Sequence, residues 1–75
     1  MSITNTYAIG DRVVLIPYLH KGKLATVKYF GSISKKFGTW VGLELDEPTG
    51  DSSGDVNGEI LFECKEMHGL VIRNT

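Results

Sequence analysis

The stretch Thr39-Trp40-Val41-Gly42-Leu43-Glu44-Leu45, TWVGLEL, alternates without a break. In an extended chain successive side chains point to opposite faces, so Val41, Leu43 and Leu45 share one face and Trp40, Gly42 and Glu44 the other. Three aliphatics at a spacing of two specify a strand with one buried side. The tryptophan is therefore placed away from the core that those aliphatics build, next to a glycine that leaves room above the sheet.

The rest of the chain reads the same way. Residues 12–16 are rich in β-branched side chains, entered through Gly10-Asp11 and stopped by Pro17, which lacks a donor. After a loop at His20-Lys21-Gly22-Lys23, residues 24–30 alternate, predicting Ala25, Val27 and Tyr29 on one face, with Thr26 and Lys28 opposite. Residues 32–38, SISKKFG, have too little period for a helix and predict a surface loop. Beyond a glycine-rich loop, residues 59–64 predict a strand that turns Ile60, Phe62 and Cys64 inward. Residues 69–73 predict a last one, with Leu70 and Ile72 inward and Val71 and Arg73 outward. Four or five short strands and no helical period predict an all-β fold, a small SH3-like antiparallel barrel. Residues 1–8 are polar and without period, an expected mobile leader to a domain spanning 9–75.

Seventy-five residues make one domain, and a chain of that size buries only about 60% of its unfolded surface, leaving little room for a large active-site cleft. With 41% hydrophobic and 23% charged residues, the composition is globular rather than disordered. The single cysteine, Cys64, excludes an internal disulfide, and no run approaches the roughly 20 apolar residues of a membrane span. A reducing, cytoplasmic setting is the expectation. The net charge of −1 hides an asymmetry: residues 1–38 sum to +5 and residues 39–75 to −6. Strands from the two halves can pair and bring these charges together across a sheet; the alternative is a basic patch that recruits an acidic partner.

Thr49 to Gly58, TGDSSGDVNG, reads as a metal loop, a ligand-gripping loop or a plain connection. Asp51, Ser53, Asp55 and Asn57 alternate as oxygen ligands do, but neither EF-hand register supplies the glutamate at position 12. Cys64 and His68 stand four apart, yet a structural zinc site needs four ligands, and free cysteine packs as a small hydrophobe. No metal, cofactor or catalytic constellation is expected. Trp40 carries the positive signal: an outward tryptophan followed by a glycine-rich loop is how a peptide groove is often made, the plainer reading being an aromatic that caps the barrel's end or covers a hydrophobic edge.

Taken together, GDRVV (10–14), TVKYFG (26–31), GTWVGLELDEPTG (38–50), VNGEILFEC (56–64) and HGLVIR (68–73) resemble the CAP-Gly domain family in order, spacing and residue type. The resemblance implies a glycine-rich SH3-like barrel that binds tubulin, microtubules or plus-end proteins through acidic-aromatic tails ending in Glu-Glu-Tyr or Phe. It implies a cytoplasmic, cytoskeleton-associated module, monomeric as an isolated domain, with no membrane partner. Trp40 matches the groove tryptophan of the family, Gly50 and Gly54 match the two glycines of its GKNDG loop, which grips the terminal carboxylate, and Gly58 matches the loop glycine that follows.

This chain departs from that pattern where the ligand would be held. Asp51, Ser52 and Ser53 stand where the family pattern has lysine, asparagine and aspartate. Lys35 and Val71 replace groove aromatics, Ile60 and Leu61 replace a basic residue and a tyrosine, and Ala25 replaces a glycine. Phe37 lies two residues from the missing aromatic, and Lys35 and Lys36 could supply charge from the other wall of the groove. The second-ranked reading is a nucleic-acid-binding module, since residues 10–31 also look like a KOW strand–loop–strand opener with basic and aromatic residues suited to phosphates and bases. The pI of about 6.0 and the acidic second half argue against it.

Overall fold

The computed structural model describes residues 7–15 and 21–74. Among these residues six strands follow in order: β1 (Arg12–Val14), β2 (Leu24–Gly31), β3 (Thr39–Leu45), β4 (Asp55–Val56), β5 (Glu59–Ile60) and β6 (Gly69–Asn74). All pairings are antiparallel. One sheet has the order β1-β2-β3-β6, and β4 and β5 form a separate hairpin. The architecture is the all-β, SH3-like type that the sequence predicts, although β1 and β6 are not paired among the described residues. The parts of the expected first strand and loop at residues 16–20 lie outside those described.

The central strand behaves as its alternation requires. Val41, Leu43 and Leu45 are buried and join Leu15, Ala25, Val27 and Leu70 in one core cluster, with Val13, Phe30 and Ile72 packed against it. Leu43 faces Val27 on one side and Leu70 on the other, so β3 carries the core between its two neighbours. Of the expected leader, residues 1–6 lie outside the described set, while Tyr7 belongs to the folded unit: it packs against the core and meets the Phe30 ring edge-on at 6.2 Å.

Three expectations are corrected. In β2 the register shifts between Val27, opposite Leu43, and Tyr29, opposite Gly42. The extra residue, Lys28, is a β-bulge, and a one-residue slip exchanges the faces. Phe30 thereby enters the core side, while Tyr29 moves to the outer face beside Gly42. The predicted strand at 59–64 is extended only at Glu59–Ile60, because Asn57 (φ 50°) and Gly58 (φ 86°) turn the chain back onto β4. Positive φ at both positions is the signature of a tight two-residue hairpin. Ile60 is consequently 72% exposed rather than inward. Finally, the loop at 32–38 is exposed as expected except at Ile33, which is buried.

The segment after β5 leaves the hairpin and crosses the outer face. Leu61 and Phe62 donate their N–H groups to the Gly54 carbonyl at 3.0 and 3.3 Å, and Cys64 donates to Ser53 O at 3.2 Å. This holds Phe62, 8% exposed, over Gly42, where an added Cβ would lie 2.5 Å from the ring. Cys64 is half-buried and lies outside the main cluster. Burial pushes its thiol pKa up, with a further push from Glu44 and an opposing pull from Lys28, so it stays a protonated, poorly nucleophilic thiol.

The charge asymmetry of the two halves is used in pairing. Arg12 grips both oxygens of Asp46 at 2.6 and 2.8 Å, Lys23 meets Glu47 at 2.9 Å, and Lys28 approaches Glu44 at 3.9 Å. Each joins a cation of the first half to an anion of the second.

Candidate functional site

The outer face of the sheet is built by the residues that β3 turns away from the core. Trp40 pairs with Gly31 and Arg73, and Gly42 pairs with Tyr29 and Val71. Trp40 and Arg73 thus mark one end of this face, with Val71 and Tyr29 in the middle. Phe62 fills the space over Gly42 that the sequence left open.

At the tryptophan end the loop 32–38 folds against the sheet. The indole Nε1–H donates to the Phe37 carbonyl at 3.1 Å, which fixes the ring and leaves it half-buried. Lys36 Nζ sits 5.3 Å from the ring centroid, within cation–π range. Lys35 beside it adopts φ 65° and is exposed. The Arg73 guanidinium lies across Gly38, whose hypothetical Cβ would come within 2.8 Å of its Nε. Phe37 itself is 90% exposed, so its ring is free to meet a partner. Lys35, Lys36 and Arg73 take part in none of the three ion pairs found among the described residues.

The opposite end is formed by the glycine-rich loop. Gly69 N donates to Ser52 O at 2.7 Å, while Asp51 N and Ser52 N donate to Gly69 O at 2.9 and 3.2 Å, so the loop adds a single rung to the free edge of β6. Ser52 Oγ also accepts from Gly54 N at 3.2 Å. Gly50 and Gly54 are buried, and their missing side chains serve the fold: an added Cβ would stand 2.4 Å from Gly69 O and 2.0 Å from Phe62 O respectively. Asp51 and Ser53 are exposed. The loop is therefore clamped by its backbone and presents a carboxylate outward.

The candidate residues thus divide into two groups on one face. Lys35, Lys36, Phe37 and Trp40 gather at one end, Gly50, Asp51, Ser52, Ser53 and Gly54 at the other, and Val71 stands between them. Sequence reasoning left out three residues of this face. Arg73 was legible, since it shares Val71's parity; Tyr29 was hidden by the bulge, and Phe62 by the irregular backbone that carries it. Among the described residues no group of three His, Cys, Asp or Glu side chains is placed to hold a metal. His68 is committed to the backbone, its Nδ1–H donating to Leu45 O at 2.7 Å.

The model of the CAP-Gly domain family matches residues 9–75. This chain belongs to the CAP-Gly family. It is 43% identical over 67 residues to dynactin subunit 1 of Drosophila melanogaster, covering 89% of this chain and 5% of that protein. It is 36% identical over 66 residues to tubulin-folding cofactor B of Mus musculus, covering 88% of this chain and 27% of that protein. A CAP-Gly domain thus spans only a small part of these relatives. Among solved structures, the Bik1 CAP-Gly domain with an ETF peptide from Bim1 superposes with a TM-score of 0.69 at 29% identity, covering 87% of this chain and 75% of that one.

Proposed function

We propose that this CAP-Gly domain is a protein-interaction module of the microtubule cytoskeleton that takes acidic-aromatic C-terminal tails on the face bearing Trp40. The observation that carries the reading is Lys36 over the ring of a fixed, half-buried tryptophan, with Lys35 beside it in the loop and Arg73 opposite Trp40 across the sheet, three cations that take part in none of the ion pairs found among the described residues. A glutamate-rich tail meets charge complementarity there, and an aromatic end meets the rings of Trp40 and Phe37. The relatives' names, dynactin and tubulin-folding cofactor, and the peptide carried by the Bik1 domain support the same class of partner. Tubulin, microtubules and plus-end proteins with such tails are the partners, and the cytoplasm is the setting.

Asp51 weakens the grip at the other end. A hydrogen bond to a charged group is worth about 1.5–3 kcal/mol, so a lysine at this position holds a carboxylate that Asp51 instead repels. Titration with a peptide ending in Glu-Glu-Tyr tests both statements. Trp40→Ala abolishes binding, and Asp51→Lys with Ser52→Asn strengthens it about tenfold or more, the conversion of that energy. Binding that survives Trp40→Ala overturns the assignment of the face. A nucleic-acid reading is disfavoured by the pairing of Arg12, Lys23 and Lys28 with carboxylates, which removes three of the charges it needs.

A further inference from the structure

A cleft of about 590 Å³ opens on the hairpin side of the molecule, lined by Ser53, Asp55, Gly58, Ile60, Phe62, Glu63 and Cys64; it shares Ser53 and Phe62 with the face described above, and Trp40 is not among its walls. Ile60 is 72% exposed in it, an aliphatic side chain that the core does not use. Asp55 lies directly opposite Ile60 in the hairpin, so the carboxylate and the aliphatic group share one face. Glu63 supplies a second exposed carboxylate to the lining. Neither acid belongs to an ion pair among the described residues, whose three ion pairs engage Asp46, Glu47 and Glu44 instead.

An apolar wall and an unpaired carboxylate side by side match the two parts of a long basic side chain, whose methylene stem packs on apolar surface while its charged head stays at the rim. We propose that this cleft is a second docking site, which takes a protein segment carrying an arginine or lysine beside an apolar residue. The stem and the apolar neighbour lie on Ile60 and the edge of Phe62, and the cation meets Asp55 and Glu63. The chemistry is opposite in sign to that of the Trp40 end, so the two sites accept different segments. Where one partner chain carries both an acidic tail and a basic segment, their joint affinity exceeds that of either alone.

The test uses the 15N-labelled chain and two blocked tripeptides, acetyl-Arg-Leu-Arg-amide and acetyl-Glu-Leu-Glu-amide. The basic peptide shifts the amide signals of Gly58, Ile60 and Glu63 and leaves the Trp40 indole N–H in place; the acidic peptide does not shift those amides. Ile60→Ser, and separately Asp55→Asn with Glu63→Gln, each weaken the basic peptide about fivefold, the size expected of exposed contacts. All three side chains are exposed, so these variants fold. Equal shifts from both peptides, shifts centred on Trp40, no shift at saturating peptide, or unchanged affinity in the variants would each overturn the proposal. None of these outcomes depends on whether the Trp40 face binds acidic tails.

Discussion

The two faces of β3 are built on different rules. On one, Val41, Leu43 and Leu45 repeat at a spacing of two and meet Val27 and Leu70 from neighbouring strands. On the other, Gly42 has no side chain, Trp40 leans on a loop carbonyl, and the cover is Phe62, delivered by a segment without ladder pairing. The first face is held by periodic packing and the second by a plug and by charges. The core face should then fail through lost volume, and the outer face through lost fit and lost charge.

Leu43→Ala has the largest expected effect. Leu43 is 1% exposed and central to the cluster, and truncating a buried leucine costs about 2–5 kcal/mol, the removed contacts plus the cavity left behind. Small domains have about 5–15 kcal/mol in total. Urea unfolding followed by circular dichroism should show a much lower midpoint. A loss comparable to that of a surface substitution would mean that the core is not where β3 places it.

Gly42→Ala probes the other face and adds volume rather than removing it. Its Cβ would stand 2.5 Å from the Phe62 ring and 2.8 Å from Tyr29 Cβ, distances that force one of them to move. Overpacking costs about 1–3 kcal/mol, or a fall in Tm of roughly 4–8 °C for each kcal/mol in a domain of this size. The double variant Gly42→Ala with Phe62→Leu should recover part of that loss. If Gly42→Ala is as stable as the parent, Phe62 is not seated over Gly42, and the glycine is free space for a ligand after all.

How far the sequence could be read follows from the same division. The core face was fully legible in TWVGLEL and in the alternation of Ala25 and Val27, because burial on one side of a strand leaves a period of two. That period ran out at Lys28. A bulge is a matter of register between strands, and nothing in a run of residues announces which one is extra. Ile60 was misplaced for a different reason: Asn57-Gly58 is a strong hairpin signal, and reading it would have ended the strand early and turned Ile60 outward. The candidate site was legible at Trp40, Val71 and the loop through family resemblance and parity. Its cationic end needed the structure, since Lys36 and Arg73 reach Trp40 and Gly38 from segments 37 residues apart in the chain. The loop glycines carried a double meaning that sequence cannot separate. Gly50 and Gly54 look like room for a ligand, and they are room for the carbonyls of Gly69 and Phe62.

Charge on the outer face gives the smallest effect and the one with a pH signature. Arg12 hydrogen-bonds Thr26 Oγ1 at 2.7 Å and grips Asp46 in two bonds. The Asp46 carboxyl is held below its ordinary value, first by the hydrogen bond from Arg12, then by the charges of Arg12 and His68 working against desolvation. A carboxylate whose pKa is lowered by folding adds stability that is fully present above its unfolded value, about 3.9, and is lost as pH falls through the lower folded value. Arg12, raised by the same contact, stays charged throughout this range. Asp46→Asn should therefore lower Tm slightly near neutral pH, and the gap from the parent should close as pH falls below the unfolded value and through the lower folded one. Both groups are exposed to solvent and screened by salt, which keeps the effect below that of either glycine or leucine replacement. Thermal melts of the two proteins across that range check it, with Leu43→Ala as the internal control, because a defect in the core face carries no proton and its Tm deficit should not follow the titration of Asp46. A gap for Asp46→Asn that stays constant into acid would show that the Arg12 contact does not act through charge.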